Sequence, residues 1–436
     1  MVVPAGCHPN EILKCSTPNG WATMSGSASG PTVWIQTTHR KCTPQAFITA
    51  TVSTIQSTHD CPYNRSTQSV KSARGQRTIR LMTRKTLQRA AFFWLFVMLS
   101  AYLVYIYPIQ RLTYWFGSPD LLKLPSTVGL WMLMIAILWL SFRRGSRVLE
   151  WILFNWMGVG FVFFVLCLLY DLGRLINPLN DQAAAGVILL IGTGLVTFSF
   201  ITAQTTTHKT LRFHSHRLRK DYRLVQISDV HIGSRSSKFL NHIVQKINML
   251  HPDMVLITGD FLDSSRVGTK DIEALKTLAM PVYLSIGNHE RYIGLDKVVP
   301  LLEEAGVRVL RDNSVHIDGL QLIGIDDADD VHQVGRELAN IALDPQCFKV
   351  LLYHRPLGWD SAVKAGIDLT LSGHTHNGQI FPFNWLVKQQ FKLITGLHRR
   401  GQCRLYVSPG TGTWGPMMRL GSRNEITCID LVRSSL

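Results

Sequence analysis

The stretch "DLTLSGHTHNGQ", residues 368–379, runs an apolar strand from Leu369 to Leu371 through a serine and a glycine into two histidines one residue apart. A short apolar run of this kind reads as a strand buried on both faces, and its abrupt polar end reads as the edge of a site. Four other stretches repeat the design. "YRLVQISDVHI" (222–232) ends in Asp229 and His231, and "DMVLITGDFLD" (253–263) ends in Asp260 and Asp263. "PVYLSIGNHE" (281–290) supplies Asn288 and His289, and "KVLLYHRP" (349–356) supplies His354. Short apolar runs alternating with helix-like stretches from about Tyr222 onward predict an α/β domain. Such sheets gather their sites at the carboxyl ends of their strands.

The residue types narrow the chemistry. Asp229 and His231 lie two apart, so an extended backbone would send both side chains to one face, and His374 and His376 repeat the device. Gly259, Gly287 and Gly373 are expected to bring the backbone close to the site, with Gly373 supplying a tight turn. Carboxylate oxygens, imidazole nitrogens and an amide oxygen together suit Mn, Fe or Zn, and are too rich in nitrogen for a dedicated Ca or Mg cage. The donors suffice for two divalent metal ions. His208, His214, His216, His242 and His251 fall outside this pattern and read as surface or structural residues.

D-x-H, G-D-x-x-D, G-N-H-E, a strand-terminal His and G-H-x-H, in that order, resemble the calcineurin-like metallophosphoesterases over roughly residues 219–431. The resemblance implies an α/β fold, a metallophosphoesterase β-sandwich flanked by helices. It implies that Asp229, His231 and His376 hold one metal, that Asn288, His354 and His374 hold the other, and that Asp260 bridges them. His289 matches the family's general acid, and Asp263 is expected to orient it. The chemistry implied is hydrolysis of a phosphoester by a water that two ions acidify, with His289 protonating the leaving oxygen. "GHTHNGQIFPF" and "LYVSPGTGTWGPMMRLGSRNEITCIDL" are similar to a membrane-attached branch. Its relatives include hydrolases of UDP-2,3-diacylglucosamine in lipid A biosynthesis and animal transmembrane proteins with the same domain. Asn377 stands where this branch more often has glycine, a departure that bears on the substrate and leaves the metal ligands intact.

Upstream of this domain the chain is of another kind. Its 436 residues carry a net charge of +16, and no charge occurs between Arg89 and Arg111, Lys123 and Arg143, Glu150 and Asp171, or Asp181 and Lys209. Each window is near the roughly 20 residues that a spanning helix needs, which predicts a four-helix transmembrane bundle over 82–207. Lysines and arginines crowd 71–89, 143–147 and 209–220, so the positive-inside rule places both termini and the catalytic domain in the cytoplasm. This topology accounts for the basicity without nucleic acid, and spans free of charge argue against a transporter. Residues 208–221 read as a basic juxtamembrane linker to a catalytic domain over 222–436. Residues 1–81 read as a disordered extension, or as sequence ahead of the true start at Met82, and the cysteines lack metal-like spacing. Aromatic and cationic residues interleave over 382–400, making Trp385, Lys388 and Arg399 candidate substrate-binding residues for a lipid-linked phosphoester or pyrophosphate. The alternatives are a general phosphodiesterase or phosphoprotein phosphatase with a passive anchor, and a membrane sensor or scaffold.

Overall fold

The computed structural model describes residues 21–22, 35–36, 84–118, 123–144, 146–177 and 180–434. The chain divides into two units, Met1–Met82 and Thr83–Leu436. In the first, the dipeptides β1 (Trp21–Ala22) and β2 (Ile35–Gln36) pair antiparallel, and the reading of 1–81 otherwise lies outside the described residues. The second unit holds the apolar helices and two six-stranded sheets.

All four charge-free windows are helical. The first is α1 (Arg84–Ala101), which continues through a π turn into α2 (Tyr107–Trp115). Then come α3 (Leu124–Arg144), α4 (Arg147–Arg174) and α5 (Asp181–Gln204). Ser146 and Asn180 cap α4 and α5 by accepting from Leu149 N and Ala183 N, and an acid follows in each first turn. Among the described residues three stretches are long and apolar enough to cross a membrane: Trp94–Trp115, Val148–Arg174 and Asp181–Gln204. The expected fourth span, α3, offers a shorter apolar run, Leu124–Ile137. Large side chains such as Leu190, Phe198 and Ile201 on α5 are exposed, as a helix that is apolar all round requires when lipid surrounds it.

The first sheet has the order β3 (Thr206–Ser215), β14 (Asn424–Arg433), β4 (Tyr222–Ile227), β5 (Met254–Thr258), β6 (Val282–Ser285), β7 (Val307–Leu310). The second has the order β12 (Gly396–Arg400), β13 (Cys403–Val407), β11 (Leu369–Ser372), β10 (Phe348–Tyr353), β9 (Leu320–Ile325), β8 (Asn313–Ile317). Strands β4 to β7 run parallel, as do β9, β10, β11 and β13. Their two-residue period builds the layers. Val350 and Leu352 of β10 join Leu224, Leu256, Leu371 and Tyr406 in the core between the sheets, while Leu351 and Tyr353 face the outer helices. Strands buried on both faces are continuously apolar for this reason. The outer face of the first sheet is covered by α6 (Ser237–Met249), which buries Leu240, Ile243 and Ile247.

The segment expected as a linker, 208–221, differs from that reading. Residues Thr206–Ser215 form β3, a ten-residue edge strand in register with β14 from Asn424↔Thr206 to Arg433↔Ser215. Alternation hides it in the sequence: Leu211 and Phe213 are buried while Lys209, Thr210 and Arg212 face solvent, so its charges mask its apolar side. Only Thr205 separates α5 from this strand. Arg235 and Asn424 donate to Ala203 O, satisfying a carbonyl at the carboxyl end of α5 from within the catalytic sheets.

The loops after β11 and β13 also pack on α4 and α5. Ile380 and Met418 are buried against Val162, Arg419 N donates to Ser199 O, and Met417 N donates to Asn155 Oδ1. A Cβ at Gly158 would lie 2.6 Å from Met418 Sδ and 2.7 Å from Pro416 Cβ, whereas at Gly173 it would meet nothing. Gly158→Leu is therefore expected to destabilise the detergent-solubilised protein by about 1–3 kcal/mol, the usual cost of overpacking. Gly173→Leu should leave the thermal midpoint nearly unchanged, and equal midpoints for the two variants would show that this contact is not made.

Candidate metal centre

Strand β4 stops at Ile227, and the residues that follow are not extended. Asp229 has φ 53° and His231 φ 55°, and the same left-handed region holds Asp260 (51°), His374 (71°) and His376 (50°). The shared face of each pair thus comes from a coiled turn, not from the pleat of a strand. Asp and His enter this region more readily than bulkier residues, but the strain still needs support from the surroundings. Gly373 supplies close approach, and the turn itself falls on His374. A Cβ at Gly373 would lie 2.0 Å from Ser228 Oγ and 2.2 Å from Asp229 Oδ2.

Two clusters result, and Asp260 belongs to the surroundings of both. In the first, His231 Nε2 and His376 Nε2 are 3.1 Å apart, with Asp229 Oδ1 3.5 Å from His376 Nε2. In the second, His354 Nε2 lies 3.1 Å from Asn288 Oδ1, 3.1 Å from His374 Nδ1 and 3.0 Å from Asp260 Oδ2. His354 Nδ1 stands 2.8 Å from Thr258 O, a contact that requires the proton on Nδ1. Nε2, on the other side of the ring, faces a carboxylate, an amide oxygen and another imidazole, which gather around one point. Convergent buried lone pairs fit a cation, so the residues suit the metals that the motifs imply.

Electrostatics agree with this fit. Burial pushes His231 and His374 down to about 3 and lowers His376 well below its ordinary value, which keeps their lone pairs free. Burial also pushes the Asp229 carboxyl up to about 6. At His354 burial acts downward, but the adjoining Asp260 carboxylate overcomes it and pushes the ring up to about 10. Asp260 moves in the opposite sense, since the histidines around it outweigh its own burial. A positive charge is thus favoured beside Asp260.

Each sequence-predicted ligand, Asp229, His231, Asp260, Asn288, His354, His374 and His376, lies in this arrangement. His289 is half-buried at its rim, with its backbone N–H on Asp260 Oδ1 and its ring 4.8 Å from His231 and 5.9 Å from Trp414. Asp263 does not face it. Leu262 bridges to Ile232 and Asp263 N donates to Ile232 O, so the carboxylate emerges beside Ser234, which donates both N and Oγ to it. From there Asp263 Oδ2 is 3.6 Å from His231 Nδ1. Trp385 and Lys388 are exposed on the short helix Asn384–Gln390, and Arg399 is exposed on the edge strand β12. Among the described residues no hydrogen bond or ring contact joins these three to the clusters.

Two supporting residues had no individual reading in the sequence. Glu290, fully buried, accepts from Asp260 N, Gly287 N and Leu262 N, each at 2.9 Å, and so locks two ligand loops together. Arg419, also fully buried, donates to His376 O at 2.9 Å and Gly412 O at 2.6 Å, and its Nη2 stands 3.3 Å from His376 Nδ1. The glutamate of "GNHE" was visible as part of a motif; Arg419 had no signal beyond its place in the phrase "LYVSPGTGTWGPMMRLGSRNEITCIDL".

The calcineurin-like phosphoesterase family profile matches residues 222–378. A metallophosphoesterase of Aquifex aeolicus is 30% identical over 224 residues, which is 48% of this chain and 85% of that protein. The chain belongs to the calcineurin-like metallophosphoesterases. A Campylobacter jejuni metallophosphoesterase is 34% identical over 224 residues, 49% of this chain and 60% of its own length. A bovine transmembrane protein with a metallophosphoesterase domain is 33% identical over 258 residues, 52% of this chain and 57% of its own. The chain thus spans about 60% of the length of several of these relatives.

Glu290→Ala would orphan three buried N–H groups, each of which costs about 1–3 kcal/mol. The variant should unfold at a markedly lower temperature than wild type and bind metal more weakly. For wild type, chelation should lower the thermal midpoint, and divalent metal at about 100 times its Kd should restore about 2.7 kcal/mol. A melting curve indifferent to chelator would count against metal at either cluster.

Proposed function

We propose that this chain is a membrane-anchored, dinuclear-metal phosphoesterase that hydrolyses a phosphoester or pyrophosphate bond on the cytoplasmic side, with a lipid-linked substrate. The observation that carries the hydrolytic reading is the meeting of the two lone-pair clusters at Asp260, with the half-buried His289 beside them. Asp229, His231 and His376 would hold one ion, and Asn288, His354 and His374 the other. When bound, the two ions would supply charge for the phosphoryl oxygens and an acidified water.

The chain's own residues supply the rest. His289 is the group placed to give a proton to the leaving oxygen. Burial lowers its affinity for that proton and His354 adds to the loss, while the Asp260 carboxylate works against it. Asp263 stands behind His231, its Oδ2 3.6 Å from Nδ1, and is assigned no part in proton transfer. The lipid-linked reading is supported by the single residue between α5 and β3, which ties the catalytic sheets to the apolar helices without a linker. A site held this close to a bilayer gains effective concentration only for substrates confined there.

His289→Ala is expected to lose about 10²- to 10⁴-fold in turnover while retaining its metals. Asp260→Ala should lose both. Turnover on a panel of phosphomonoesters, diesters and pyrophosphates, with metal content measured on the same samples, checks the assignment. His289→Ala protein stripped of metal, or Asp260→Ala protein fully loaded, would overturn it. A carboxyl-terminal reporter active only outside the cytoplasm would reverse the topology.

A further inference from the structure

The loops that carry the site have a second face. Phe381, Phe383, Trp385 and Leu386 follow His376 closely and are 47%, 46%, 60% and 56% exposed, and Trp414 beside His289 is 49% exposed. Scattered apolar side chains on a surface are ordinary, but a contiguous group needs a partner. These residues form one body. Gln379 Nε2 donates to Trp414 O and Pro416 O, its Oε1 accepts from Trp414 N, and Phe381 N donates to Leu420 O.

That body is seated on α4 and α5. Phe383 meets Phe161 of α4 edge-on at 6.1 Å, and Ile380, Met418 and Leu420 pack with Val159, Val162, Leu195 and Phe200. The charged turn at the far end of these helices, where Arg174 pairs with Asp181, marks one boundary of the apolar layer. Counting from it, Val162 and Val159 lie about 18 and 22 Å along α4, and Leu195 and Phe200 about 21 and 28 Å along α5, at 1.5 Å per residue. All four fall within the roughly 30 Å of a bilayer's hydrocarbon.

We propose that loops 379–386 and 414–420 form a lip that inserts into the acyl layer of the bilayer against α4, so that the metal centre opens at the membrane surface. Trp385 and Leu386 stand in the first turn of a short helix whose later residues are Lys388, Gln389 and Gln390, which suits a segment that dips its apolar end into the interface and leaves its cation at headgroup level. The lip takes lipid and not a protein partner because its apolar face continues that of helices which themselves present bare apolar side chains. An ester whose acyl chains remain in the bilayer would then bring its phosphate to the rim at His289. This consequence for the substrate rests on the phosphoesterase reading, whereas insertion itself does not.

The test uses the full chain reconstituted in phosphatidylcholine–phosphatidylglycerol vesicles. Phe383→p-benzoylphenylalanine and Leu386→p-benzoylphenylalanine are irradiated beside Val331→p-benzoylphenylalanine, an exposed position in the loop after β9 and outside the two lip segments. The lip positions should give lipid acyl adducts in excess by at least about tenfold, since one face is immersed and the other is not. Yields equal to that at 331, or adducts to a second protein molecule in their place, would overturn insertion. Phe383→Asp with Leu386→Asp should also lower the ratio of kcat/KM on an acylated ester to that on its deacylated form by about tenfold or more. An unchanged ratio overturns the proposed route of the substrate, and failure of wild type to hydrolyse either ester overturns the phosphoesterase reading while the adducts still decide the lip.

Discussion

Two carboxylates, Asp229 and Asp260, are buried at strand ends where four imidazoles and an amide turn their lone pairs inward. Such a gathering is unfavourable in the absence of positive charge, because water is excluded and the groups have few donors to share. The surrounding construction answers this one constraint. Five of the residues stand in left-handed backbone, Gly373 lets the "GHTH" loop press against Asp229, and Glu290 takes up backbone N–H groups that the turns after β5 and β6 leave without strand partners. Each device spends stability to hold a donor at a chosen point, as sites built for ligand binding generally do.

The sheets provide the rigidity that makes such strain tolerable. Leu224, Leu256, Leu352 and Leu371 fill the layer between them, while Val225, Ile257 and Leu351 fill the layers outside. Near the site the two sheets are joined by Gln226, whose Nε2 donates to Thr258 Oγ1 of its own sheet and to Ser372 O of the other. A shift of one sheet against the other would therefore break a buried polar link as well as the ligand geometry.

Arg419 extends this order to the helices. Its backbone N–H is on Ser199 O of α5, while its guanidinium reaches His376 O, Gly412 O and Asn424 Oδ1. One residue thus connects an apolar helix, the loop of the second histidine and the last strand. Burial lowers its affinity for a proton to about 9, and Asp229 works against that loss. The helices and the metal centre are parts of one packed unit, so a change in the helix layer has a direct mechanical route to His376.

The sequence by itself determined which residues could meet a metal, because each ligand ends an apolar strand and strand ends in α/β sheets gather on one edge. It also marked the apolar helices, of which three are long and apolar enough to cross a membrane and α3 offers a shorter run. Tertiary structure decided what local pattern could not carry. Strand β3 was hidden because Lys209 and Arg212 face solvent on the edge that Leu211 and Phe213 bury, so its role depends on β14, more than two hundred residues away. Asp263 went to His231 instead of His289 because pairing of Ile232 with Leu262 fixes its direction, and that pairing is between loops. Arg419 gained its place only when helix, loop and strand came together around it. Spacing along a chain fixes what a residue can bond, whereas the contacts between distant segments fix which bond it makes.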